Sequence, residues 1–251
     1  MSASNRMLLR KAWLESKARF TAAAVVLAIL GLSTVLRAPA TIAGWERIHR
    51  GEQMSYPLYV WLSLPHGFLQ FLWIIAAVLL GLGGMLREEA LGAAGFTLSL
   101  PISRRRHVLT RAAVGATEAA ALAFIPLLMV AILSPLIHQS YPLSQALLFG
   151  TIFVLAGLIF FALGFFLSHL LRGEYSAPVV ALAVIAAFYI LTKLPRLGVL
   201  SVFDAMDGKK VLVGRTFLLG GELPLPTIAT SLAIATLLIA MSVVRAIRRD
   251  F

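Results

Sequence analysis

The sequence predicts an all-α integral membrane protein, a single domain over residues 1–251 with six transmembrane helices. Three observations carry that reading. Hydrophobic residues fill 60% of the 251 positions and charged residues only 13%, about half the usual charged share of a globular domain, so a water-soluble fold could not hide so much apolar surface. The apolar residues fall into six runs, each roughly the length a bilayer requires. The 22 Lys and Arg residues gather between those runs, where they set topology and meet anionic headgroups, which argues against a nucleic-acid partner despite the formal charge of +11.

Before the first run, Leu9, Ala12, Trp13, Ser16 and Phe20 recur at helical spacing while Arg6, Arg10 and Lys17 fall on another face. This predicts an amphipathic helix lying at the cytoplasmic interface. The alternative is a helical extension of the first span whose bases snorkel. The basic stretch from Arg6 to Arg19 is too long for a secretory leader and no clean small-x-small cleavage site precedes polar mature sequence, so the first apolar run is expected to be retained.

The spans are expected over about 21–36, 67–86, 112–137, 145–171, 177–192 and 227–244. The first and fifth fall short of the roughly 20 residues that a bilayer needs, and local thinning or snorkelling flanks would make up the difference. With six crossings, 14 Lys and Arg lie on the side of the termini and 8 on the other. The excess of bases predicts both termini in the cytoplasm, at a bacterial-type inner (plasma) membrane.

Pro126 and Pro135 fall inside the third run, where each removes a backbone donor and can kink the helix. Gly150, Gly157 and Gly164 repeat at intervals of seven in the fourth run, a small-residue stripe that lets another helix approach, within one subunit rather than between subunits. Between spans five and six, Leu197, Leu200, Phe203 and Met206 recur near helical spacing before Gly220, Gly221, Pro224 and Pro226 break the pattern. Short extracytoplasmic helices forming a lid or rim are expected there.

Chemistry-bearing residues are sparse. The chain has no Cys, hence no disulfide or thiolate site. Glu118 lies about two turns into the third run, where an ionised carboxylate costs on the order of 3 kcal/mol and must face protein, water or a cation. It reads either as an internal pair with Arg111 or as a substrate or proton site. His169 and Gln70 read as helix-packing hydrogen bonds, and His49, Glu52 and His66 match no metal spacing. No catalytic set and no metal site are expected. An intramembrane enzyme would need paired groups at membrane depth, and no Asp falls within the apolar runs.

The most informative stretch is the loop from Arg87 to Arg111. Glu88 and Glu89 close the second span, Leu100, Pro101, Ile102, Ser103 and Arg104 follow, and Arg111 opens the third span. A short helix stopped near Pro101 and lying along the cytoplasmic face is expected, a docking surface between spans two and three. This pattern resembles the ABC-2-type permeases, whose second cytoplasmic loop reads E-x-x-G-T-L and then L-P-V-S-R with a basic residue at the next span. Glu89 and Gly92 match the first part, although Ala93 and Ala94 replace its Thr-Leu. The ending Ile247, Arg248, Arg249, Asp250, Phe251 and the stretch from Ser201 to Leu212 also look like family segments.

The resemblance implies the membrane half of an ATP-driven exporter. The loop would be a coupling helix seated in a cleft of a separate ABC ATPase. Glu88 and Glu89 would pair with its bases, Gly92 would allow close approach, and Leu100, Pro101, Ser103 and Arg104 would complete the contact. ATP and Mg would bind that partner, two ATPase subunits serving two permease copies or a related pair. This chain itself is expected to hold no cofactor, since no G-x-x-x-x-G-K-[ST] loop occurs in it. The competing expectation is an ATP-independent assembly factor or channel subunit. The apolar lining allows a lipid-like, peptide or hydrophobic drug substrate, and the resemblance leaves ions and polysaccharides open as well.

Overall fold

A computed structural model describes residues 3–49, 53–82, 103–171, 176–194, 201–213 and 217–248. These residues are helical, joined by turns and one isolated bridge between Leu212 and Leu219. In chain order the helices are α1 (Ala3–Ile48), α2 (Tyr56–Ser63), α3 (Leu69–Gly81), α4 (Arg104–Leu133), α5 (Leu143–Leu170), α6 (Ser176–Thr192), α7 (Val202–Met206) and α8 (Leu225–Arg248). Among the described residues, five helices are long and apolar enough to cross a membrane: α1, α2 continued into α3, α4, α5 and α8. The fifth expected span, α6, is an apolar helix of 17 residues, about 25 Å at 1.5 Å per residue.

The first helix corrects the sequence reading. No separate interfacial helix precedes the span, because α1 is one helix of 46 residues, about 69 Å long. From Arg6 to Leu30 the chain contains no Gly and no Pro and is rich in Ala, Leu, Lys and Arg, so nothing interrupts helix propagation where hydropathy changes. The expected boundary near residue 21 marks a change of surroundings and not of backbone.

The second span also begins earlier than its apolar run. Ser55 caps α2, accepting the Leu58 N–H at 3.4 Å. A π turn over Leu64–Phe68 then joins α2 to α3. Its kink sits at Gly67 (φ −104°, ψ −137°), where a Cβ would lie 2.6 Å from the Leu62 carbonyl oxygen, so only glycine takes this backbone path. The third span starts at Arg104, capped by Ser103, with Pro126 inside it, and tightens to a 3-10 turn at Ser134–Ile137 containing Pro135. Short helices precede the last span as expected: α7 and a 3-10 turn over Lys209–Val211.

The seven-residue glycine stripe of α5 is an intramolecular seam. A Cβ on Gly150 would meet the Phe124 ring of α4 at 2.4 Å, one on Gly157 the Trp73 ring of α3 at 2.6 Å, and one on Gly164 the Val78 carbonyl of α3 at 2.8 Å. Trp73 and Phe153, two of the largest fully buried side chains, pack edge to face at 5.2 Å. The Trp73 indole N–H donates to the Ala119 carbonyl at 2.8 Å. Interhelical hydrogen bonds of this kind satisfy polar atoms where lipid cannot.

Candidate functional site

Two polar assemblies lie at opposite ends of the bundle. At the basic end the first turns of α1, the end of α3 and the start of α4 meet. α1 and α4 run side by side in the same direction: Ser16 reaches Glu118, and Gly31 abuts Pro126. Glu15 is the organising acid. Its Oε2 lies 3.0 Å from Arg111 Nη1 of α4 and its Oε1 3.8 Å from Lys11 Nζ one turn earlier.

Arg19, one turn beyond Glu15, reaches across to α3. Its Nη1 donates to the carbonyls of Leu79 at 2.6 Å and Leu82 at 2.8 Å. Those carbonyls lie at the end of a helix, where Leu79 also accepts the capping Leu82 N–H at 3.3 Å, and a guanidinium there adds a charged donor and offsets their partial negative charge. Ser168 of α5 adds a bond to the Gly81 carbonyl at 3.2 Å. A cavity of about 10 Å³ lies among Glu15, Ser16, Arg19, Gly81, Arg111 and Phe165, about room for one water.

Glu118 is only 4% exposed. The Ser16 hydroxyl donates to its Oε1, while Oε2 has no hydrogen-bond partner among the described residues. The expected internal pair of Arg111 with Glu118 is therefore replaced by two contacts to α1: Arg111 with Glu15, and Glu118 with Ser16. The reason is geometric. Seven residues on a helix are separated by about 10 Å along its axis, and α1 interposes a carboxylate near Arg111 and a hydroxyl near Glu118.

At the start of α4, Ser103 accepts the Arg106 N–H at 3.4 Å as the helix cap. Arg104 follows as the first helical residue, half-buried, and Arg105 and Arg106 are exposed. Of the expected docking residues, Glu88, Glu89, Gly92, Leu100 and Pro101 lie outside the described residues. Ser103 and Arg104 thus stand about two turns from Arg111 on the same helix.

The opposite end is closed by a cap built from α2, α7 and the following turns. The Asp207 carboxylate is buried; its Oδ2 lies 2.9 Å from His66 Nδ1 and its Oδ1 accepts the Lys209 N–H at 2.8 Å. Burial raises the Asp207 carboxyl above its ordinary value, against the opposing effect of those two hydrogen bonds. The Trp61 indole donates to the Asp207 carbonyl at 2.7 Å and stacks on His66 at 4.7 Å. Gln145 at the start of α5 accepts the Leu219 N–H at 2.8 Å and donates to the Leu219 carbonyl at 3.1 Å.

The minor polar residues divide between packing and pairing. Gln70 bonds the Phe203 carbonyl at 2.8 Å, tying α3 to α7, and His169 Nδ1 lies 2.8 Å from the Phe165 carbonyl within α5. His49 stacks on Trp45 at 3.9 Å, and Glu52 lies outside the described residues. Among the described residues no group of three metal-ligating side chains occurs.

Sequence reasoning missed Glu15, Arg19 and Asp207. A signal existed for the first two: Glu15 is the sole acid before Glu46, and Lys11, Glu15 and Arg19 repeat every four residues, one stripe of a helix. Asp207 finds partners 141 and 146 positions away, with no local pattern to announce them. No protein-family model and no curated protein matches the chain.

Proposed function

We propose that this chain is the membrane-spanning subunit of an ATP-driven transporter of the ABC-2 type, an exporter, coupled through residues 87–111 to a separate ATPase subunit. The observation that carries the reading is the ordered pattern Glu89, Gly92, Leu100-Pro101-Ile102-Ser103-Arg104 and Arg111, lying between the second and third of the long apolar helices. The full layout is six spans, with α6 the fifth, both termini in the cytoplasm and two copies per assembly. ATP and Mg bind the partner ATPase.

The geometry at the basic end supports a route for force. A push on the segment preceding Ser103 acts on the first turn of α4. Arg111, about two turns further on, is tied to Glu15 of α1, and Arg19 ties α1 to the end of α3. Three long helices therefore respond together to one contact, as alternation between two packings requires.

Copurification tests the proposal. The chain, expressed from its native host in mild detergent, is expected to retain an ABC ATPase whose hydrolysis rate changes on association, and Glu89→Lys is expected to abolish that retention. Recovery of the native chain with no ATPase bound, or unchanged ATPase retention by Glu89→Lys, contradicts the assignment of this loop as the coupling element.

A further inference from the structure

An open groove between the first turns of α1 and the start of α4 offers about 520 Å³, within the size range of ligand pockets. Leu9 of α1, the cap residue Ser103, and Arg105, Arg106, Leu109, Thr110 and Ala113 of α4 line it. The α4 residues recur at three- and four-residue spacing, so they form one stripe along the helix. That stripe is graded. Arg105 and Arg106 are exposed at one end, and neither has an ion-pair partner among the described residues. One turn on comes Leu109, 41% exposed, and another turn on comes Ala113, also exposed, where the apolar span begins.

The chemistry of the lining selects its occupant. Two guanidinia offer a fork of donors suited to a phosphate diester. Ser103 adds to them, because its oxygen accepts the Arg106 N–H and its own proton remains to be donated. Among the described residues that line the groove there is no carboxylate. A zwitterionic headgroup would bring a cation against the two arginines, and a soluble anion would leave Leu9, Leu109 and Ala113 uncovered. A molecule with a phosphate at one end and hydrocarbon at the other fits both halves. Its depth also fits, since basic residues at the start of a span lie at headgroup level.

We infer that this groove binds one anionic phospholipid, its phosphate on Arg105 and Arg106 and an acyl chain along Leu109, Ala113 and Leu9. The lipid is a wedge between α1 and α4, beside the Glu15–Arg111 contact. This site stands whether or not an ATPase partners the chain.

Native mass spectrometry of the full chain in detergent, with added phosphatidylglycerol, phosphatidylcholine or inorganic phosphate, tests the inference. One phosphatidylglycerol per chain is expected to bind about thirtyfold more tightly than phosphatidylcholine, the preference that two bases near a headgroup supply. Arg105→Gln with Arg106→Gln is expected to abolish the preference, and Arg6→Gln with Arg10→Gln to leave it. Ala113→Phe keeps both arginines while filling the apolar half, and is also expected to abolish it; this variant decides the matter should the arginine pair prove necessary for folding. Equal binding of the two lipids, displacement of phosphatidylglycerol by inorganic phosphate, or a preference surviving in Ala113→Phe would overturn the inference.

Discussion

The two ends of the bundle are fastened by different physics. At the capped end, contacts converge from many elements: Asp207 on His66, and the neutral bonds of Trp61 to the Asp207 carbonyl, Gln70 to Phe203, Gln145 to both polar atoms of Leu219, and Tyr56 to Ser134 at 2.7 Å. At the basic end, one helix makes the junction, and charge carries it: Glu15 to Arg111 and Lys11, Arg19 to two carbonyls of α3. The Glu15 side chain is 30% exposed, so its ion pairs are open to water and salt. The cap is a cross-linked lid, and the basic end is a hinged one. The exposed Glu15 pairs should break at modest cost, while the buried Ser16–Glu118 contact and the Arg19 bonds to α3 remain.

Substitutions separate the two ends. The largest effect is expected where both ends share a floor. Gly164→Leu drives a side chain into the Val78 backbone and should cost about 3 kcal/mol or more, lowering the yield of folded protein and loosening both ends alike. A variant that loosened only one end would show that the ends have separate floors.

Arg19→Ala removes the charged donor from the Leu79 and Leu82 carbonyls, about 2 kcal/mol. Amide exchange in the first turns of α1 and the end of α3 should quicken, with no change in α7. Gln145→Ala is the matching change at the cap and should cost about 1 kcal/mol, because other contacts from α2 and α3 still hold the lid. Its exchange signature should be confined to residues 217–219. If Gln145→Ala released the whole cap, the cross-linked description would fail.

The smallest effect concerns Asp207. A carboxyl raised in the folded protein binds its proton more tightly there than in the unfolded chain, so its ionised form opposes folding above the raised value. The opposition fades as pH falls through that value toward the ordinary 3.8 and is gone below it. Cap stability should therefore rise slightly on mild acidification, and Asp207→Asn should flatten the dependence in a thermal-unfolding series against pH. A cap that weakened as Asp207 took up its proton would show that the His66 contact outweighs burial.

Much of the architecture was legible because lipid imposes a length on each apolar run. The expected spans 145–171, 177–192 and 227–244 lie within a few residues of α5, α6 and α8. Hydropathy reports surroundings, however, and not where a helix stops. Hence α1 runs unbroken through its polar first turns and α2 precedes the apolar run of α3. The glycine stripe was legible as packing, since removing side chains has one immediate steric consequence, whereas the partner rings Phe124 and Trp73 come from distant segments. The charge network was half legible: the stripe of Lys11, Glu15 and Arg19 is local, but that Arg19 would seek the end of α3 depends on how three helices pack.

The absence of cysteine makes one measurement direct. Paired spin labels at Trp13 and Thr117 report the basic end, and labels at Leu147 and Leu223 report the cap; all four positions are exposed. In the chain reconstituted with the ATPase proposed as its partner, arresting ATP hydrolysis is expected to shift the Trp13–Thr117 distance distribution while leaving the Leu147–Leu223 distribution where it was. A fixed basic pair, or a cap pair that moves instead, would contradict that expectation.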